Sequence, residues 1–325
     1  MWPTMPTRPR PSSPPPSLSP PSPPPQRCDL ARQDKGALVA LALVALALAV
    51  AGGCGGGAAA AGPGDGASAD GLSGGPGETT LCSETLFGQP GVHTGLSASQ
   101  CAPRCGCGGA AWTPRAWSAD DLTSLRAYEL LDPPSALAVD PYSDAALDVA
   151  PPPAALACAV RLVDTPKRHY RLRTQPSAAA AMAVGDIVTH AGRCGQCSSL
   201  QDLAVYAGTS DLTTPVRQCG LSGAAGGHAA GVKCLLELGF SEACADIWAW
   251  NVENTRKACL DVCLSLIKAP SHLPDGALNA CIACDEAHSG PVFKAVAGRT
   301  RRNSGLPSAL CRPCASVARV EHLYP

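Results

Sequence analysis

The chain has 325 residues, 16% of them charged, and a formal net charge of −1. Bulk charge therefore excludes a polycationic nucleic-acid binder and gives no general pull toward acidic partners. With 4% aromatic residues and three Phe, a core of Ala, Leu and Val buries little area per residue, so 18 cysteines must help hold the fold.

Residues 1–35 are Pro/Ser-rich and read as a disordered tail, because Pro blocks regular pairing and apolar bulk is missing. Residues 36–54 follow as an uncharged apolar run, "ALVALALVALALAVA" at its centre. Its length is close to the roughly 20 residues that cross a bilayer. The reading is a transmembrane signal-anchor, with cleavage of a signal peptide near Ala51 as the alternative and an organellar leader as a third. Arg8, Arg10, Arg27, Arg32 and Lys35 precede the run, and no Lys or Arg follows it until Arg104. The positive-inside rule puts the N-terminus in the cytoplasm and the cysteines in a lumen or outside the cell. Residues 55–80 form a Gly/Ala-rich stalk, and residues 81–325 form one Cys-rich domain.

In that domain the expected fold class is α+β and disulfide-rich. A small antiparallel sheet should be followed by a mostly helical C-terminal part. Residues 82–110 read as a loop-rich cysteine knot, and a short helix is expected near Asp120–Leu131. "LACAVRLVD" and "HYRLRTQ" flank "TPKR" and predict a hairpin near 155–175, with "DIVTH" as a third strand. Residues 196–268 read as helical. One helix starts at Ser198, and another stops at Gly239. A third is capped by Ser241 and runs to Lys268, roughly 40 Å at 1.5 Å per residue. On that helix Cys244, Trp248, Asn251, Thr255, Cys259, Val262 and Leu266 share one stripe. Cys259 and Cys263 are ~6 Å apart at Cβ, too far to bond each other, so each should reach a different neighbour.

An oxidising compartment makes sixteen cysteines disulfide candidates: Cys82, Cys101, Cys105, Cys107, Cys158, Cys194, Cys197, Cys219, Cys234, Cys244, Cys259, Cys263, Cys281, Cys284, Cys311 and Cys314. Two alternatives carry chemistry. "CGQC" places Cys194 and Cys197 between a strand and a helix, the setting of a thiol–disulfide oxidoreductase. Cys281, Cys284, Cys311 and Cys314 form two C-x-x-C pairs, a zinc-binding module if the thiols are free. "DEAH" at Asp285–His288 spells a helicase motif inside an expected cysteine-rich loop, yet no Gly-Lys dipeptide exists to form a phosphate loop. Nucleic acid and ATP are excluded as partners on that ground.

The stretch 281–325 is basic, with no acid between Ala287 and Val320. Arg299, Arg301, Arg302 and Arg312 are the anion-binding candidates, since a guanidinium fork grips sulfate, phosphate or carboxylate. The alternative is that these arginines pair with acids such as Asp246 and Asp261. The expected function is a non-catalytic, disulfide-stabilised lumenal or extracellular binding or structural module, tethered to a membrane through 36–54. Its expected ligand is an acidic glycan or another sulfated or phosphorylated anion, and no cofactor is expected. The cysteine connectivity is open at this level.

Overall fold

A computed structural model describes residues 86–105, 111–145, 147–150 and 155–325. The tail at 1–35, the apolar segment at 36–54, the stalk at 55–80, and Cys82 and Cys107 lie outside the described residues. Among the described residues, no helix is long and apolar enough to cross a membrane.

The fold is α+β and disulfide-rich. Elements run in the order β1 (Leu86–Phe87), β2 (Cys101–Ala102), α1 (Ala119–Arg126), β3 (Glu129–Leu130), β4 (Ala157–Asp164), β5 (His169–Gln175), α2 (Ala178–Ala183) and β6 (Ile187–Ala191). Then come α3 (Leu200–Gly208), α4 (Thr213–Gly226), α5 (His228–Glu237), α6 (Glu242–Ser265), α7 (Ala280–His288), α8 (Gly290–Ala297) and β7 (Arg312–Pro313).

The larger sheet has strand order β3-β5-β4-β6. β4 and β5 form the expected hairpin, and β6 pairs antiparallel to β4. β3 adds in parallel to β5, so the sheet is mixed rather than purely antiparallel. β6 is an edge strand, and its outward carbonyls are covered. Thr189 accepts from Arg299 and Ala191 from Asn303. Covering an edge removes a template for strand addition.

The core lies between this sheet and the helices. Tyr170 and Val160 from the sheet meet Leu200, Leu203 and Tyr206 of α3, and Cys244 and Ile247 of α6. α6 forms because Ser241 caps it, accepting from the Cys244 amide, and Glu242 faces its positive end. Cys244, Asn251 and Cys259 of the expected stripe are buried, and Trp248 packs against the core. The helix ends at Ser265, three residues before the expected stop.

Among the described residues, seven disulfides join fourteen cysteines: 101–311, 105–314, 158–194, 197–244, 219–234, 259–284 and 263–281. Cys259 and Cys263 do not bond each other, as the helix geometry requires. The expectation of two different neighbours is corrected: both reach α7, at Cys284 and Cys281, because the two helices run antiparallel side by side. Their antiparallel order locks the C-terminal half of α6 against α7. This also corrects the expected loop at 281–288, where "CIACDEAH" is helical. Asn279 caps α7 by accepting from the Ile282 amide, and its Nδ2 donates to Pro270 O.

Two further helices, α2 and α8, were not expected, whereas α4 lies inside the stretch expected to be helical. α4 is rich in Gly and Thr, weak helix formers, and is held by Cys219–Cys234 to α5. α8 begins at Gly290 with a Pro in its first turn.

Candidate functional site

The basic C-terminal stretch is where the sequence points, and its arginines diverge. The turn after α8 decides the first of them. Gly298 has φ +72°, and a Cβ there would lie 2.5 Å from the Gly195 nitrogen. Two glycines therefore let the 194–197 loop lie against the end of α8. That approach carries Arg299 inward, to 0% exposure.

Arg299 spends every donor on neutral oxygens. Nε donates to Cys197 O at 2.9 Å, and Nη1 to Thr189 O at 3.1 Å and Ser304 Oγ at 3.2 Å. Nη2 donates to Thr189 Oγ1 at 2.6 Å and Ser198 O at 3.0 Å. Burial holds the guanidinium below its ordinary range, but an arginine remains charged at neutral pH. It is a structural cation, closed to any ligand, which removes it from the expected anion site.

Arg301 is half-buried. It donates to Pro307 O at 2.8 Å and to Thr209 O, with its guanidinium 5.7 Å from the Tyr206 ring centre. Burial pushes its pKa down to about 10. This arginine too is committed to the fold.

Arg302 and Arg312 converge, on a residue the expectation passed over. Glu286 of α7 accepts from Arg312 at 2.6 Å through Oε1, and from Arg302 at 2.8 Å through Oε2. Lys294 of α8 reaches Oε2 at 3.2 Å. Burial alone would raise the Glu286 pKa, but the charges of Arg312, Arg302 and Lys294 outweigh it and hold it below the usual carboxylate range. Three cations thus face one carboxylate. Arg312 is 10% exposed, whereas Arg302 is 30% and Lys294 44% exposed. The outer two cations keep donors for solvent. The sequence signal was available: Glu286 is the last acid before the acid-free run, eight residues before Lys294.

The neighbouring letters of "DEAH" are structural. Asp285 accepts from Thr255 Oγ1, and burial raises its pKa. Thr255 also meets Ser289 Oγ at 2.7 Å, and Tyr142 donates to Asn251 Oδ1 at 2.9 Å beside them. These contacts tie α6 to the junction of α7 and α8.

The other candidates are settled by the disulfides. Cys194 and Cys197 are not bonded to each other but to Cys158 and Cys244, so they form no dithiol pair. Both sulfurs are drawn apart because β4 lies on one side of their loop and α6 on the other. Cys281, Cys284, Cys311 and Cys314 bond to Cys263, Cys259, Cys101 and Cys105, which leaves no thiolate to ligate zinc. Among the described residues no cluster of His, Cys, Asp and Glu is arranged to hold a metal ion.

Two histidine arrangements invite a catalytic reading. His190 Nε2 lies 2.7 Å from Ser198 Oγ, but both residues are 0% exposed and no substrate reaches them. His228 lies 2.7 Å from both Asp246 Oδ1 and Glu253 Oε1 and stacks on Trp250 at 3.8 Å. With both ring nitrogens facing carboxylates, no nitrogen is left to act as a base. Asp246, offered above as a partner for the arginines, is committed to His228 and to the Leu137 amide.

A family described as one of unknown function, DUF8771, matches residues 228–320. The match covers α5 to α8 and the segment holding the Glu286 cluster, less than a third of the chain. No curated protein and no solved structure matches the chain.

Proposed function

We propose that the chain is a non-catalytic, disulfide-stabilised binding or structural module of the secretory lumen or the cell exterior. The observation that carries this reading is the pairing of all fourteen described cysteines in seven disulfides. Such a framework persists where thiols are oxidised and is rare in the cytosol. The apolar segment at 36–54 is proposed to hold the module at a membrane with the N-terminus in the cytoplasm, or to release it by cleavage near Ala51.

The ligand is proposed to be a sulfated or phosphorylated anion, gripped by Lys294 and Arg302 at the rim of the Glu286 cluster. Local charge supports it, since three cations answer to one carboxylate. The geometry moves the proposed grip from the four arginines to this pair. Arg312 backs it from below, and Arg299 and Arg301 drop out.

The test has two arms. Peptide mapping of the unreduced protein should return the seven bridges; free thiols at these positions would sink the compartment reading. On a heparin column, the double substitution Lys294→Ala with Arg302→Ala should elute at distinctly lower salt than the native chain. Unchanged retention would remove the anion reading and leave the module reading standing.

A further inference from the structure

The segment after Cys314 returns across the core as an extended strip with period-two burial. Val320 and His322 point inward, 5% and 2% exposed, while Arg319, Glu321 and Leu323 face solvent. His322 is the deepest of these side chains. It takes φ +53°, a conformation that costs a bulky L-residue energy and persists only where its surroundings hold it.

What holds it is a row of tilted rings with a guanidinium at one end. The Arg115 guanidinium lies 4.8 Å from the Trp117 ring centre, Trp117 lies 5.6 Å from the His322 ring, and Tyr324 follows at 6.1 Å. Nε2 lies 2.7 Å from the Ser304 carbonyl oxygen, which can only accept, so Nε2 carries the proton of the neutral ring. Arg115 donates to the His322 carbonyl at 3.0 Å. Tyr324 donates to Thr189 Oγ1 at 2.9 Å, and Tyr128 donates to Pro325 O.

The charged and titratable groups that face the ring come from each packed element. They are Arg299 after α8, Arg115 before α1, His190 on β6, and Tyr324 on the strip itself. No carboxylate acts on the ring. A second proton on His322, itself 2% exposed, would therefore meet two fixed guanidiniums, of which Arg115 alone has a carboxylate partner, Asp121, and that carboxylate does not reach the ring.

We propose that residues 317–325 form an acid-released latch. At neutral pH His322 plugs the core as a neutral ring; in acid its protonated form is stable only outside, and the strip peels away, uncovering Trp117 and Tyr128. Cys105–Cys314 limits the release to the segment beyond it.

The size follows from linkage. Burial, foremost, holds the closed-state ring at about 3, against 6.5 when free. Opening is then favoured about 25-fold more at pH 5 than at pH 7. Stability of the closed form is whole above the free value and declines as pH falls from there toward the closed-state value.

The test is hydrogen exchange of the native, disulfide-bonded chain, read as protection factors at pH 7 and pH 5. The expected result is a loss of protection of about 10- to 30-fold in peptides of 317–325, while α3 peptides stay far more protected than the strip. Trp fluorescence should shift in parallel as Trp117 is exposed. The His322→Asn variant tolerates the positive φ and does not titrate, and it should lose the pH dependence. The idea is overturned if the strip keeps its protection at pH 5. It is equally overturned if α3 opens with the strip, which would assign the effect to His190 and the core, or if His322→Asn responds as the native chain does. Should that variant not fold, the native profile decides alone.

Discussion

Arg299 and Arg302 are three residues apart and stand in opposite electrostatic regimes. Arg299 is wholly buried and meets five neutral oxygens and no carboxylate. Arg302 is at the surface and shares one carboxylate with Arg312 and Lys294. The first arrangement fixes geometry, since each oxygen belongs to a different piece of backbone or side chain that must arrive together. The second balances charge, and its members can be exchanged or screened. A charge run in a sequence thus holds two kinds of residue that composition cannot separate.

The contrast can be broken from either side. Replacing Arg299 with Met should be the largest effect, because it leaves buried acceptors without donors. The expected loss is about 4 kcal/mol or more, enough to prevent folding of a marginal domain, read by soluble yield and urea unfolding. Arg299→Lys should rescue little, since three ammonium donors cannot meet five acceptors set for a planar fork.

Glu286→Gln should cost less, about 2 kcal/mol, as three cations lose their shared anion. Its pH signature has a definite sign. Glu286 titrates below its ordinary value in the folded chain, so its contribution is present above about 4.5 and is lost as pH falls through the lower folded value. The difference in unfolding free energy between native and Glu286→Gln should therefore shrink only below about pH 4.5. Losses between pH 6.5 and 5 belong instead to three buried histidines, His190, His272 and His322, each held below its ordinary range by desolvation.

The smallest effect is at the rim. Lys294→Met should change stability by a few tenths of a kcal/mol, and the change should vanish in half-molar salt, where exposed pairs are screened. A large, salt-independent effect there would erase the proposed distinction between rim and cage.

Much of the local architecture was legible in the residues. The hairpin announced itself by two apolar-alternating runs around a turn, and β6 by its β-branched residues. Ser241 and the 3.6-residue stripe fixed α6 and told which of its cysteines could not bond each other. The course of α7 was missed although a signal existed. Cys281 and Cys284 are spaced for one helix face, and they match Cys259 and Cys263 in reversed order. The antiparallel β5-β4-β6 part of the sheet was legible, whereas the parallel pairing of β3 was not, because two residues carry no pattern. Arg299 was misread because direction is a tertiary property. Only the approach of Gly195 to Gly298 turns that side chain inward, and neither glycine marks this alone.

The bridges 101–311 and 105–314 span 210 and 209 residues, and nearly the whole described fold lies between their ends. Covalently the domain is a closed ring with two clasps side by side. A protease that cuts one peptide bond anywhere between Cys105 and Cys311 adds a molecule of water to the chain and releases nothing. The nicked chain should run as one species until a reductant is added. Damage to such a ring stays silent in any assay that counts fragments without first opening the clasps.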